Sequence, residues 1–131
     1  MAFDNDALTE RVIGLAIDVH RQLGPGLLES AYEECLCYEL GQAELGFRRQ
    51  VALPIIYKSV RLDCGYRLDV VVENQLILEL KTVERLLPIH EAQMITYLRL
   101  SGMATGLLLN FNSVLLKDGI RCLMLSARSA E

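Results

Sequence analysis

The chain has 131 residues, 52% hydrophobic and 23% charged, which excludes a disordered segment and suffices for one domain with its own core. Its net charge of −4 is not that of a uniformly basic nucleic-acid binder. The opening MAFDNDALTE lacks the features of a secretion signal, and no apolar run approaches the roughly 20 residues of a bilayer span, so a cytoplasmic protein without a membrane partner is expected.

Leu8, Val12, Leu15, Ala16, Val19 and Leu23 repeat at helical spacing and predict a helix over 8–23, with Asp4, Asn5 or Asp6 as its cap. Leu23-Gly24-Pro25-Gly26 stops it. Leu28, Ala31, Tyr32, Cys35 and Leu36 make the apolar side of a second helix over 28–40, paired with the first across a short turn. The period then changes to two. Residues 50–57 have strand character, with Pro54 indicating an edge or a bulge. Strands at 66–73 and 76–83 follow, joined tightly at Asn74-Gln75, and their Leu, Ile and Val content suits the middle of a sheet. Helical spacing returns over 88–101, with Pro88 in the first turn and Gly102 at the stop. Strands at 105–111 and 120–126, separated by a turn at Asp118-Gly119, complete the chain before a frayed ARSAE tail. The order α-α-β-β-β-α-β-β predicts a single α/β domain in which helices flank a mixed β-sheet. Cys35, Cys37, Cys64 and Cys122 give one C-x-C and no C-x-x-C, and apolar neighbours at three of them point to reduced core thiols.

Three ionisable groups interrupt strands that should be buried: Asp69, Glu79 and Lys81. Burying an unpaired charge costs several kcal/mol, roughly, so the group needs compensation. Glu79 and Lys81 are two apart and share a strand face. If the two strands form a hairpin, Asp69 lies beside Glu79 across the ladder. Two such carboxylates raise the pKa of one of them, and a divalent cation relieves the repulsion. Lys81 is then placed to hold or deprotonate a water and to balance charge on a phosphate. The competing reading is a structural ion-pair network without metal.

The segment Asp69, then Glu79-Leu80-Lys81 after nine intervening residues, resembles the D…ExK signature of the PD-(D/E)xK nuclease superfamily, with Leu68 where the signature's name has Pro. Gly26-Leu27-Leu28-Glu29-Ser30-Ala31-Tyr32 matches the motif of the GxxExxY family, a branch of that superfamily. Gln93-Met94-Ile95-Thr96-Tyr97 resembles the Q-x-x-x-Y element on the helix after the active-site strands of RecB-like nucleases. Together these motifs cover about residues 8–121 and occur in the right order.

The resemblance implies a restriction-endonuclease-like fold that hydrolyses nucleic-acid phosphodiesters, DNA being the expected substrate. It implies Mg²⁺ or Mn²⁺ held by Asp69, Glu79 and the Leu80 carbonyl, with Glu29 as a further acidic ligand or as an acceptor for a metal-bound water. Lys81 assists the attacking water, and Gln93 and Tyr97 orient Lys81 or contact the substrate. Arg67 contacts a nucleic-acid backbone or pairs with Glu29 or Glu33. Glu29 is also readable as a first-turn glutamate favoured by the helix dipole, Tyr97 as core, and His90 as a surface or first-turn histidine. A basic track drawn from Arg48, Arg49, Lys58, Arg61, Arg67, Arg85 and Arg99 would serve the substrate, although each is also readable as a solvated charge. The alternatives are a catalytically inactive nucleic-acid- or protein-binding module on the same fold, and an oligomer whose last strand supplies a homodimer edge or docks a larger complex.

Overall fold

The computed structural model describes residues 3–125, and side chains from residue 7 onward. The first helix starts at Phe3, earlier than the expected residue 8, so Asp4, Asn5 and Asp6 lie within it rather than capping it, and the ARSAE tail lies outside the described residues. Two helices come first, α1 (Phe3–Leu23) and α2 (Glu29–Gln42). Strands β1 (Phe47–Ala52), β2 (Ile55–Tyr57), β3 (Val60–Leu62), β4 (Arg67–Val72) and β5 (Leu76–Lys81) follow. Helix α3 (Pro88–Ser101), strand β6 (Thr105–Asn110), a 3₁₀ turn (Leu116–Gly119) and strand β7 (Ile120–Met124) complete the order.

Five strands make one mixed sheet in the order β1-β4-β5-β6-β7. Only β5 and β6 run parallel, and α3 is the crossover that parallel neighbours require. The sheet separates two apolar layers. On one side Val12, Ala16, Tyr32, Leu36 and Leu40 of α1 and α2 meet Val70, Val72, Leu76, Leu78 and Leu80. On the other, Met94 and Leu98 of α3 meet Leu68, Val71, Ile77 and Leu108. The alternation along β5 and β6 is that of strands covered on both faces. Met94 packs so closely on Gly106 that a Cβ there would stand 2.4 Å from its sulfur. The restriction-endonuclease-like mixed sheet flanked by helices is therefore the observed architecture.

Several expectations are corrected in detail. The segment 50–57 is two strands parted at Leu53-Pro54, and β1 begins earlier, at Phe47. Strand β3 was not foreseen; it pairs with β2 in a separate two-stranded ribbon. The β4–β5 turn centres on Glu73-Asn74, both at φ 54, and Gln75 N–H closes it on the Val72 carbonyl. That left-handed pair is the type I′ geometry that suits a two-residue hairpin. Among the cysteines only Cys37 is buried, where burial pushes its thiol up to about 11; Cys64 and Cys122 are exposed and Cys35 is half-buried.

Candidate functional site

The β4–β5 ladder pairs Val72 with Leu76, Val71 with Ile77 and Val70 with Leu78, and there it stops. The next pair in register is Asp69 with Glu79. Their side chains fill the place of the missing ladder bonds. Asp69 N–H donates to Glu79 Oε2 at 2.9 Å, and Leu80 N–H donates to Asp69 Oδ2 at 2.9 Å. On the other side of β4 the ladder skips Gln50, which stands opposite Asp69 with a left-handed backbone at φ 51. Leu68 and Val71, three apart, both pack on the α3 layer, so the strand's alternation slips at this point. A local bulge of this kind re-aims side chains at the end of a sheet. Leu80 turns its N–H toward β4, and its carbonyl lies on the same edge of the strand, facing the gap.

Burial and charge act together in that gap. Glu79 is 6% exposed, and its carboxyl is pushed up to about 8, first by burial and then by the charge of Asp69. Asp69 is also raised by burial, against the pull of its Leu80 N–H bond; Glu33 and Glu29 add to the rise, while Lys81 opposes it. Lys81 Nζ lies 3.5 Å from Gln93 Oε1. The Tyr97 phenol is raised first by burial and then by the charges of Glu79, Tyr66 and Asp69. Its edge meets Tyr66 at 6.3 Å between centroids.

The donor set fits a hard divalent cation. Each carboxylate uses one oxygen on a backbone N–H, which leaves Asp69 Oδ1 and Glu79 Oε1 without a hydrogen bond among the described residues. Neither is sealed from solvent, because no buried side-chain oxygen among those residues lacks a partner. No three His, Cys, Asp or Glu side chains among the described residues converge on one point. Two carboxylates, a carbonyl and waters are the sparse protein ligation that suits magnesium, whereas a zinc centre needs more protein ligands.

The remaining candidates divide between this centre and its supports. Glu29 reaches across to Thr82, the residue after Lys81, accepting from its N–H at 3.2 Å and lying 3.5 Å from its hydroxyl. It does not join Asp69 and Glu79 in one group. Tyr32 is fully buried, stacked on Phe111 at 4.5 Å; its hydroxyl donates to the Gly24 carbonyl and accepts Leu27 N–H at 3.1 Å. Arg67 donates to the Tyr66 carbonyl and pairs with neither Glu29 nor Glu33. Glu33 is taken instead by Arg49 at 2.9 Å and by Gln50 Nε2 at 2.9 Å. His90 Nδ1 accepts Leu87 N–H at 2.9 Å, the role of a first-turn histidine closing a cap.

Sequence reasoning missed Gln50 and Asn110, and named Glu33 only as a partner for Arg67. Asn110 is 1% exposed; it accepts Val83 N–H at 3.1 Å and donates to the Val83 carbonyl at 2.9 Å, tying down the chain just beyond Lys81. Its signal was available as a lone amide ending an apolar strand. Gln50 and Glu33 had none, because their importance comes from the tertiary position of Asp69.

A family model described as the PD-(D/E)XK nuclease superfamily matches residues 6–123. The chain belongs to the PD-(D/E)XK nuclease superfamily. Searches of curated proteins and of solved structures gave no match. The superfamily generally uses divalent metals. The Glu79–Lys81 spacing sends both side chains to the face covered by α3.

Proposed function

We propose that this chain is a divalent-metal-dependent nuclease that hydrolyses phosphodiester bonds, with DNA as its substrate and Mg²⁺ or Mn²⁺ as its metal. The observation that carries the reading is the splayed end of β4 and β5. There two carboxylates replace the ladder, each keeping one oxygen spare, with Lys81 on the face of Glu79. Asp69, Glu79 and the Leu80 carbonyl would hold the metal, with Glu29 able to accept from a bound water. When bound, the metal supplies Lewis-acid stabilisation of charge on the phosphate and lowers the pKa of water. Lys81 positions the attacking water and offsets charge developing on phosphate oxygens. Gln93 holds the Lys81 ammonium in place. The phenol of Tyr97, with Arg67, meets the substrate backbone.

Within the superfamily we assign the chain to the GxxExxY branch. Support comes from the three motif residues acting as one brace: Gly26 at φ 101 in the turn, Glu29 on Thr82, and Tyr32 on Gly24.

A second reading, an inactive binding module on the same fold, is favoured by the acidic net charge of −4. Cleavage separates the two. Asp69→Asn keeps an acceptor for Leu80 N–H but halves the carboxylate pair, and Lys81→Ala removes the ammonium. Each is expected to lower Mn²⁺-dependent cleavage of DNA by at least about 10²-fold, on the scale of losing one electrostatic group, while the folded spectrum stays unchanged. Cleavage retained by both purified variants would refute the assignment.

A further inference from the structure

The β2–β3 ribbon takes no part in the main sheet, yet it grows from the end that carries the site. The ladder between β1 and β4 continues past Ala52 and Arg67 through Leu53 N–H on the Tyr66 carbonyl at 3.0 Å. Gln50 stands opposite Asp69, and eight residues further on lies the ribbon tip at Lys58. An extended chain rises about 3.3 Å per residue, so the tip can stand up to about 25 Å beyond the carboxylates.

The surface of this ribbon is both apolar and cationic. Ile56, Tyr57, Val60 and Leu62 are between 41% and 58% exposed, and no residue of β3 is covered. Lys58, Arg61 and Arg67 stand along 55–67 against Asp63 alone, in a chain of net charge −4. Asp63 accepts Gly65 N–H at 3.0 Å in a local turn, and none of the three cations is ion-paired among the described residues. Lys58 and Ser59 form the turn at φ 49 and 68, a left-handed pair held without glycine, which sets Lys58 at the tip with its ammonium 5.4 Å from the Tyr57 ring centroid. At the root, Tyr66 meets Tyr97 edge-on, and Tyr97 stands on α3 one turn after Gln93, which contacts Lys81. Aromatic faces flanked by unpaired cations are the elements of a single-strand binding track.

We propose that the β2–β3 ribbon grips single-stranded DNA, stacking unpaired bases on Tyr57 and Tyr66 while Lys58, Arg61 and Arg67 meet the phosphates. The direction of the strand, toward Asp69, rests on the nuclease reading; the grip does not. Charge complementarity selects this occupant over a second copy, since a twofold contact through the ribbon would set Lys58 and Arg61 against their own counterparts. It also selects a single strand over a duplex, whose bases are already stacked on one another and would leave the exposed rings and Val60 against phosphates.

The test is fluorescence anisotropy of labelled single-stranded DNA, and of the duplex of the same sequence, in EDTA, with the full chain, Tyr57→Ala and Arg61→Glu. Single-stranded DNA should bind more tightly than duplex. Tyr57→Ala and Arg61→Glu should each weaken binding about tenfold, on the scale of one lost stack or phosphate contact, with unchanged circular dichroism. Ribbon variants that bind like the unaltered chain, or equal affinity for duplex, would overturn the grip. So would a dimer of the unaltered chain, seen in sedimentation, that Tyr57→Ala dissociates. If the ribbon variants lose binding while no preparation cleaves DNA, the grip stands and the nuclease reading fails. Cleavage that survives unaltered in the ribbon variants, with their binding intact, gives the reverse.

Discussion

Glu79 holds its proton far above the ordinary carboxylate range because the sheet strips its water and Asp69 faces it across the gap. The consequence for stability has a definite sign. Between the unfolded value of 4.5 and the folded value of about 8, the folded chain binds more protons than the unfolded one, so stability falls as pH rises. Below that window the group contributes no penalty, and above it the penalty is complete, of the order of a few kcal/mol. Metal-free protein should therefore lose thermal stability from pH 5 to pH 8 more steeply than Glu79→Gln, which cannot ionise. Parallel melting curves for the two would show the carboxyl to be unperturbed. Asp69, also raised by burial, adds a loss of the same sign as pH rises above its own unfolded value.

The chain on either side of the site is held by two elements that touch no substrate. Helix α2 enters through the Gly24–Gly26 turn, which the Tyr32 hydroxyl fastens at two backbone points. Tyr32→Phe keeps the stack on Phe111 and removes those bonds, so a loss of about 1–2 kcal/mol is expected in denaturant unfolding. Beyond β5, Asn110 satisfies both backbone groups of Val83. Asn110→Leu would leave them buried and unmatched, at roughly 1–3 kcal/mol, and would free the segment that anchors Lys81. Cleavage by that variant should fall alongside its stability, whereas Tyr32→Phe acts farther from Lys81 and should spare activity below its melting point. Equal activity in the two would show that Asn110 does not anchor the site.

The whole molecule is a sheet packed on both faces, opened at one end. Three-layer packing buries β4 and β5 so thoroughly that two carboxylates there are tolerable only at the splayed end, where each keeps an oxygen open to solvent. A ligand that binds the folded state alone raises its stability by mass action. Added Mn²⁺ should therefore raise the melting temperature, and more at pH 8 than at pH 6, because metal must displace the proton from Glu79. Asp69→Asn should abolish the shift. A rise of equal size in that variant would place the ion elsewhere.

Periodicity and punctuation were enough for the main sheet and the three helices, because apolar spacing of two or near four reports burial directly. Pro88, Gly102 and Glu79-Leu80-Lys81 each carry a local rule that tertiary contacts did not override. Other features had no local cause. A strict period of two would keep Leu68 and Val71 on opposite faces, yet both pack on α3, because the ladder opens at Asp69 and Gln50 turns left-handed to accommodate it. Strand β3 was illegible because its exposed apolar residues belong to a ribbon outside the core. Glu29, read as an acidic candidate, is drawn to Thr82 by a contact between residues 53 positions apart. Composition and pattern thus selected which side chains must be compensated; only the approach of distant strands decided which backbone groups and neighbours compensate them.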